Sequence, residues 1–230
     1  MRGNMRGVGP APQIKEWVDR MMPVIVEARS TLRAVKPGKL ALRTGCERDA
    51  QGNYRLTFFS KEYVISADDF VVRDAATGKA ASSFTASLLL TYMATADGTT
   101  PSGRWVGFHE LPDGMFYVQA FQGYTGVRLV RELESACAMV TEVDPLMAFH
   151  RAAERLGGRA FEIGEAGYVF GLLPRVSLAL VYWLGDDEFP SQARVLFEDS
   201  ACHYLPTDGL AILGSQLVGR VLNAASQATV

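Results

Sequence analysis

The sequence predicts an α+β fold, with mainly antiparallel strands packed with a long N-terminal helix, central helices and a C-terminal helix. Three observations predict it. Apolar residues recur at helical spacing near both ends of the chain, two blocks of short β-branched and aromatic segments lie between, and these blocks lack the regular strand–helix alternation of a doubly wound sheet. The composition agrees. With 230 residues, 48% of them hydrophobic and 21% charged, the chain can bury roughly 70% of the surface its unfolded form exposes, so it needs no disulfide or metal staple. Residues 1–12 are expected to form a flexible tail and residues 13–230 a single α+β domain.

Ile14, Trp17, Val18, Met21, Val24, Ile25, Ala28, Leu32 and Val35 give one face of a long first helix, kinked or divided at Pro23 and ending near Pro37-Gly38. A meander is expected next, with strands at Leu40–Cys46, Tyr54–Phe59, Tyr63–Ser66 and Phe70–Arg73 separated by short polar turns. Ser82 or Ser83 can cap a buried helix running to about Ala94. The turn formers Asp97 to Gly103 feed a short segment, Arg104–Leu111, and Met115–Val140 reads as mostly helix broken around Gly123 and Gly126. Asp144-Pro145 starts a helix that stops at Gly157-Gly158, because proline suits the first helical position and glycine the end. Strands follow at Ala160–Ile163, Tyr168–Leu173, Ser177–Leu184 and Ala193–Glu198. Pro206, Thr207 and Asp208 then open a last helix with Leu210, Leu213, Leu217 and Val221 inward.

The longest apolar run is Leu178–Leu184, far short of the roughly 18 residues that suggest a membrane span, so no span is expected. The N-terminal MRGNMRGVGPAP has no apolar stretch behind its arginines and does not read as a secretory signal. Cys46, Cys137 and Cys202 are few and scattered, which fits reduced thiols and a cytoplasmic location. The formal charge of −2 hides an uneven distribution, since eight of the 23 Lys/Arg fall within the first 40 residues. No aromatic residues alternate with them to stack bases, so a solvated helix face is the reading and nucleic acid is not an expected partner.

Most catalytic motifs fail on spacing. Gly78-Lys79 resembles the end of a phosphate loop, but Arg73 stands where the first glycine is required and Ala80 where the magnesium-binding hydroxyl is required. The sequence contains no GxGxxG, GxSxG, HExxH or CxxC. His203 lies between a strand end and a helix start, where a polar side chain can meet a ligand or simply cap the corner. Cys202 adjoins it, but neighbours on a strand point apart, which argues against a shared metal. His109 is expected on the surface or at a cleft. His150 and Glu154 are spaced i to i+4 and could offer two metal ligands, yet Arg151 and Arg155 make a solvated face the simpler reading. Asp186-Asp187-Glu188 has the oxygen donors for a divalent cation and equally the look of an exposed hairpin tip.

Trp105, Phe108, Phe116, Tyr117, Phe121 and Tyr124 crowd one glycine-bearing segment. They can line an apolar pocket for a flat ligand, or fill the core as aromatic rings more often do. Trp105, His109, Tyr117 and His203 are therefore the expected ligand-binding residues. No catalytic residue, metal site or cofactor is assigned.

The stretches LLLTYMATADGTTPSGRWVGFHELPDGMFY and AAERLGGRAFEIGEAGYVFGLLPRVSLALVYWLGDDEFPSQARVLFEDSACHYLPTDGLAILG resemble an uncharacterised bacterial and archaeal family, domain of unknown function 3786, and the resemblance covers about residues 15–222. Its members come largely from anaerobes and are commonly labelled iron–sulfur cluster proteins, some because they carry an added cysteine-rich domain like that of corrinoid iron–sulfur proteins. This chain departs from them, because three scattered cysteines do not supply a four-ligand pattern. The resemblance implies a binding or accessory module for a redox or corrinoid-dependent system, taking a protein partner or a small planar ligand. The alternatives are a small-metabolite enzyme using His203 and Asp199 as acid and base, with His109 as a further candidate, and a structural subunit docked through the basic first helix.

Overall fold

The computed structural model describes residues 12–138 and 144–227, with side chains from residue 20 onward. The expected tail therefore lies outside the described residues, apart from Pro12. Helix α1 (Pro12–Arg33) runs through Pro23 as one element, so the proline does not divide it. Its Ile25, Ala28 and Leu32 are buried, and it packs along α3 (Ser83–Thr95). The α3 start is set by Ser82, whose hydroxyl accepts the Thr85 N–H at 3.1 Å.

The first strand expected at Leu40–Cys46 is instead helix α2 (Pro37–Thr44). Lys36 is extended, Pro37 supplies a preset φ at the first helical position, and Gly45 closes the helix at φ 66°. Pro37-Gly38 thus opens a helix where the sequence suggested the close of one. Leu40 and Thr44, one turn apart, both face inward, while the intervening Leu42 is 74% exposed.

The meander that follows is a four-stranded antiparallel sheet in the order β1 (Glu47–Arg48), β2 (Tyr54–Phe58), β3 (Lys61–Ile65), β4 (Val72–Asp74). The last strand begins two residues later than expected, because Phe70 is in the left-handed region at φ 54° and belongs to the turn. The β2–β3 hairpin also turns early, on Phe59 and Ser60 at φ 47° and 62°. That geometry favours Asn-Gly and strains other residues. Phe59 is held there by its N–H donated to Leu172 O at 3.1 Å and by the Arg220 guanidinium 4.2 Å from its ring centroid.

A second antiparallel sheet has the order β5 (Trp105–Gly107), β9 (Gln192–Glu198), β8 (Val176–Trp183), β7 (Ala166–Leu173), β6 (Arg159–Ala160). Register aligns Val106, Phe197, Leu178 and Phe170 on one face. Helices α5 (Arg128–Cys137), α6 (Pro145–Arg155) and α7 (Thr207–Gln227) pack against one another over the core of this sheet, with α6 Phe149 5.9 Å from Tyr168 and 5.7 Å from Tyr182 between ring centroids. The strand expected at Ala160–Ile163 ends at Ala160, and Phe161 turns back with its N–H on Gly167 O at 2.9 Å. Buried side chains from both sheets and from helices α1 to α7, including the short α4 (Val118–Gln122), join in one contiguous apolar core. No helix among the described residues is long and apolar enough to cross a membrane.

The broken helix expected after Met115 is present as a 3-10 turn at Gly114–Tyr117, α4, a π-helical stretch at Gly123–Val127, and α5. Residues 139 and 140 of that expectation lie outside the described residues.

Candidate functional site

The polar centre of the molecule is built where the Asp97–Gly103 loop crosses the end of β9. Glu198, the last residue of β9, is 6% exposed. Its Oε1 accepts the N–H groups of Ser102 and Gly103 at 2.7 and 2.9 Å, and its Oε2 accepts the Ser200 N–H at 3.0 Å and the Ser200 hydroxyl. Burial acts to raise the Glu198 pKa, but the Ser200 hydroxyl and these backbone N–H groups outweigh it and hold the carboxyl below its ordinary range. The loop is thereby clamped to the 3-10 turn Asp199–His203. Ser102 adds a hydroxyl bond to Asp199.

The clamp sets His203 against Asp97, with Nδ1 2.7 Å from Oδ2. The Thr99 N–H, opposed by partial desolvation and assisted by His203, holds Asp97 down at about 2. Both side chains are close to half exposed, so the pair faces water. A carboxylate on Nδ1 fixes the imidazole and leaves Nε2 directed elsewhere, the arrangement used by orienting carboxylates in acid–base catalysis. Asp199, the carboxylate expected to work with His203, is committed to Ser102 instead.

Beside this corner a groove of about 880 Å³ runs between α4 and the first half of α7. Phe108, Tyr117 and Tyr124 supply its aromatic side, Leu205, Ala211 and Ile212 its aliphatic side, and Asp113, Cys202 and Asp208 stand among its polar groups. The aromatic side exists because Gly114 lets the 3-10 turn press onto the chain below it. A Cβ there would stand 1.9 Å from Phe108 O. The turn consequently sends Met115, Phe116 and Tyr117 outward, at 63%, 82% and 65% exposure. Phe108 and Phe121 from the same segment stack at 4.1 Å inside the core. The aromatic cluster is thus split between core and groove.

The four expected ligand-binding residues are not brought into one site. Tyr117 lines the groove. Trp105, whose ring centroid is 5.2 Å from that of Phe161, and the exposed His109 line a separate cleft with Arg194. His203 lies one residue from the groove-lining Cys202 but is engaged with Asp97. His203 and Cys202 occupy a 3-10 turn between β9 and α7, so the alternating faces of a strand do not govern where they point. The Cys202 thiol donates to Asp199 O at 3.3 Å, and burial pushes its pKa up.

His150 and Glu154 meet through Tyr168, whose hydroxyl is 2.8 Å from His150 Nδ1 and donates to Glu154 at 3.3 Å. Asp186 closes its hairpin loop by accepting the Glu188 and Phe189 N–H groups at 2.9 and 2.8 Å. Glu198 and Asp97 were not singled out in the sequence. The available signal for Glu198 was an acid ending an apolar strand ahead of Asp-Ser, a capping pattern.

The family model of a domain of unknown function (DUF3786) matches residues 36–220. The chain belongs to that family. No curated protein and no solved structure matches it. Among the described residues the three thiols do not come together as a donor set for an iron–sulfur cluster. Cys46 follows α2, Cys137 ends α5 and Cys202 sits before α7, and burial raises the pKa of each thiol. Among the described residues no three His, Cys, Asp or Glu side chains converge as metal ligands.

Proposed function

We propose that this DUF3786 protein is a cytoplasmic binding module whose α4–α7 groove takes a flat, largely apolar small molecule. The supporting observation is the exposed aromatic wall at Tyr117 and Tyr124 facing Leu205, Ala211 and Ile212 across a cavity of about 880 Å³. Ligand pockets of roughly 300–1,000 Å³ with apolar walls and a few polar groups are the usual form of a small-molecule site. The family's association with redox and corrinoid-dependent systems makes tetrapyrrole-like macrocycles the first class to test, and reduced-thiol cysteine usage supports the compartment.

Purified protein titrated with haem and, separately, with cobalamin is expected to shift the absorbance bands of one of them saturably. Ala211→Trp, which fills the groove from α7, should weaken that binding at least about tenfold, the equivalent of roughly 1.4 kcal/mol. Unchanged spectra with both compounds would remove the macrocycle reading.

The His203–Asp97 pair favours a second reading, a small-metabolite enzyme in which His203 is the acid–base group and Asp97 its positioning residue. Turnover found in a screen of esters, phosphoesters and keto acids should fall by about 10²-fold or more in His203→Gln. Turnover untouched by that change excludes the role.

A further inference from the structure

Another cleft, of about 370 Å³, lies away from the groove, where the β2–β3 hairpin tip meets the end of α6 and the second half of α7. Its charged lining residues are Arg155 and Arg220, and no acidic residue lines it. Among the described residues neither guanidinium has an ion-pair partner, in a protein whose formal charge is −2. The Ser60 hydroxyl, also in the lining, has no protein hydrogen-bond partner among them either.

Arg155 is in the last turn of α6, where a cation ordinarily serves the free carbonyls. Here those carbonyls are already used. Leu156 N–H donates to Ala152 O at 3.2 Å, Gly158 N–H to Ala153 O at 2.9 Å and Gly157 N–H to Glu154 O at 2.9 Å. Arg220 is set differently, with its guanidinium over the Phe59 ring at 4.2 Å. A guanidinium held over a ring face keeps N–H groups that can still donate to an acceptor. Arg155, Arg220 and Ser60 are all reached by solvent, and partial desolvation, opposed by Tyr63, lowers the Arg220 pKa. The hairpin that supplies Phe59 and Ser60 holds both residues in the left-handed region, and strain of this kind concentrates at ligand-binding positions.

We infer that this cleft is an oxyanion site, in which Arg155, Arg220 and Ser60 receive the phosphate or carboxylate of a small metabolite. Arginine edges form paired hydrogen bonds with either group. The site is independent of the groove and does not rest on the macrocycle reading.

The test follows the arginine Nε–H resonances by ¹H–¹⁵N NMR while inorganic phosphate, and in a second series acetate, is added at constant ionic strength. Arg155 and Arg220 are expected to shift together along one saturable curve, and the series that saturates at lower concentration identifies the anion class. Arg155→Gln and Arg220→Gln should each weaken that curve at least tenfold, whereas Arg151→Gln, on the exposed side of α6, should leave it unchanged. Should Arg220→Gln fail to fold for want of its contact with Phe59, Arg155→Gln carries the test alone. Linear, non-saturating shifts in both series, or an equal loss in Arg151→Gln, overturn the assignment.

Discussion

Glu198→Ala is expected to cost about 2–3 kcal/mol of unfolding free energy, the scale for removing a charged acceptor from several hydrogen bonds. Three backbone N–H groups, those of Ser102, Gly103 and Ser200, would lose their acceptor at once. The Asp97–Gly103 loop would then be tied to the β9 end mainly by Asp199, whose N–H reaches Arg104 O at 3.0 Å, and by the Tyr204 hydroxyl on Thr99 O. Glu198→Gln keeps the shape but points an amide NH₂ at donors, so an intermediate loss is expected. The pH dependence has a definite sign. The folded Glu198 pKa lies below its ordinary value, so its stabilisation is fully present above the unfolded pKa of about 4.3 and fades as pH falls through the folded one. Asp97, held at about 2, acts in the same direction. Urea unfolding from pH 7 down to pH 3 should therefore show the wild type losing stability faster than Glu198→Ala. Equal slopes, or a neutral-pH difference under about 1 kcal/mol, would falsify the clamp.

Gly126→Ala is expected to destabilise by about 3 kcal/mol or more through overpacking. Gly126 sits in the π-helical stretch with its backbone against β9, where a Cβ would stand 2.0 Å from Ala193 O. A backbone oxygen inside a sheet cannot swing away as a flexible side chain could. Three residues earlier on the same stretch, a Cβ at Gly123 meets nothing within 4 Å, and its φ of −61° is ordinary for any residue. Gly123→Ala should accordingly gain roughly 0.5–1 kcal/mol by reducing the freedom of the unfolded chain. Opposite shifts of the two urea midpoints are the expected result, and two shifts of the same sign would show that the close approach to Ala193 is not what fixes this position.

Much of the fold was legible where start signals were local. Ser82 and Asp144 each cap their helix with a side-chain oxygen on a backbone N–H three residues on, and Pro145 follows Asp144 at the first helical position. The same chemistry misled at Pro37-Gly38, which suits the end of one helix and the start of another equally well. Leu40, Leu42 and Thr44 satisfy both a strand period and a helical turn. Only the tertiary packing that buries Leu40 and Thr44 and leaves Leu42 in water chooses between them.

The candidate site was half legible for a related reason. His203 was visible as a polar residue at a strand-to-helix corner, but its partner Asp97 lies 106 residues away in a run that reads only as turn formers. The environment of Glu198 depends on loop N–H groups from residues 95 and 96 positions earlier, which no local pattern encodes. The aromatic segment reads from sequence either as pocket lining or as core, and both occur in it. Which rings enter the core and which stand at the groove is decided by the backbone contact between Gly114 and Phe108, and composition carries no trace of it.

Both sheets end in strands of two or three residues: β1 and β4 on one, β5 and β6 on the other. The longer strands β7, β8 and β9 are all interior. Each border strand offers an incoming chain only two or three residues of its own ladder, while β7 and β9 run on past these short neighbours. Short border strands of this kind are one way in which a sheet margin is kept from pairing with a second chain.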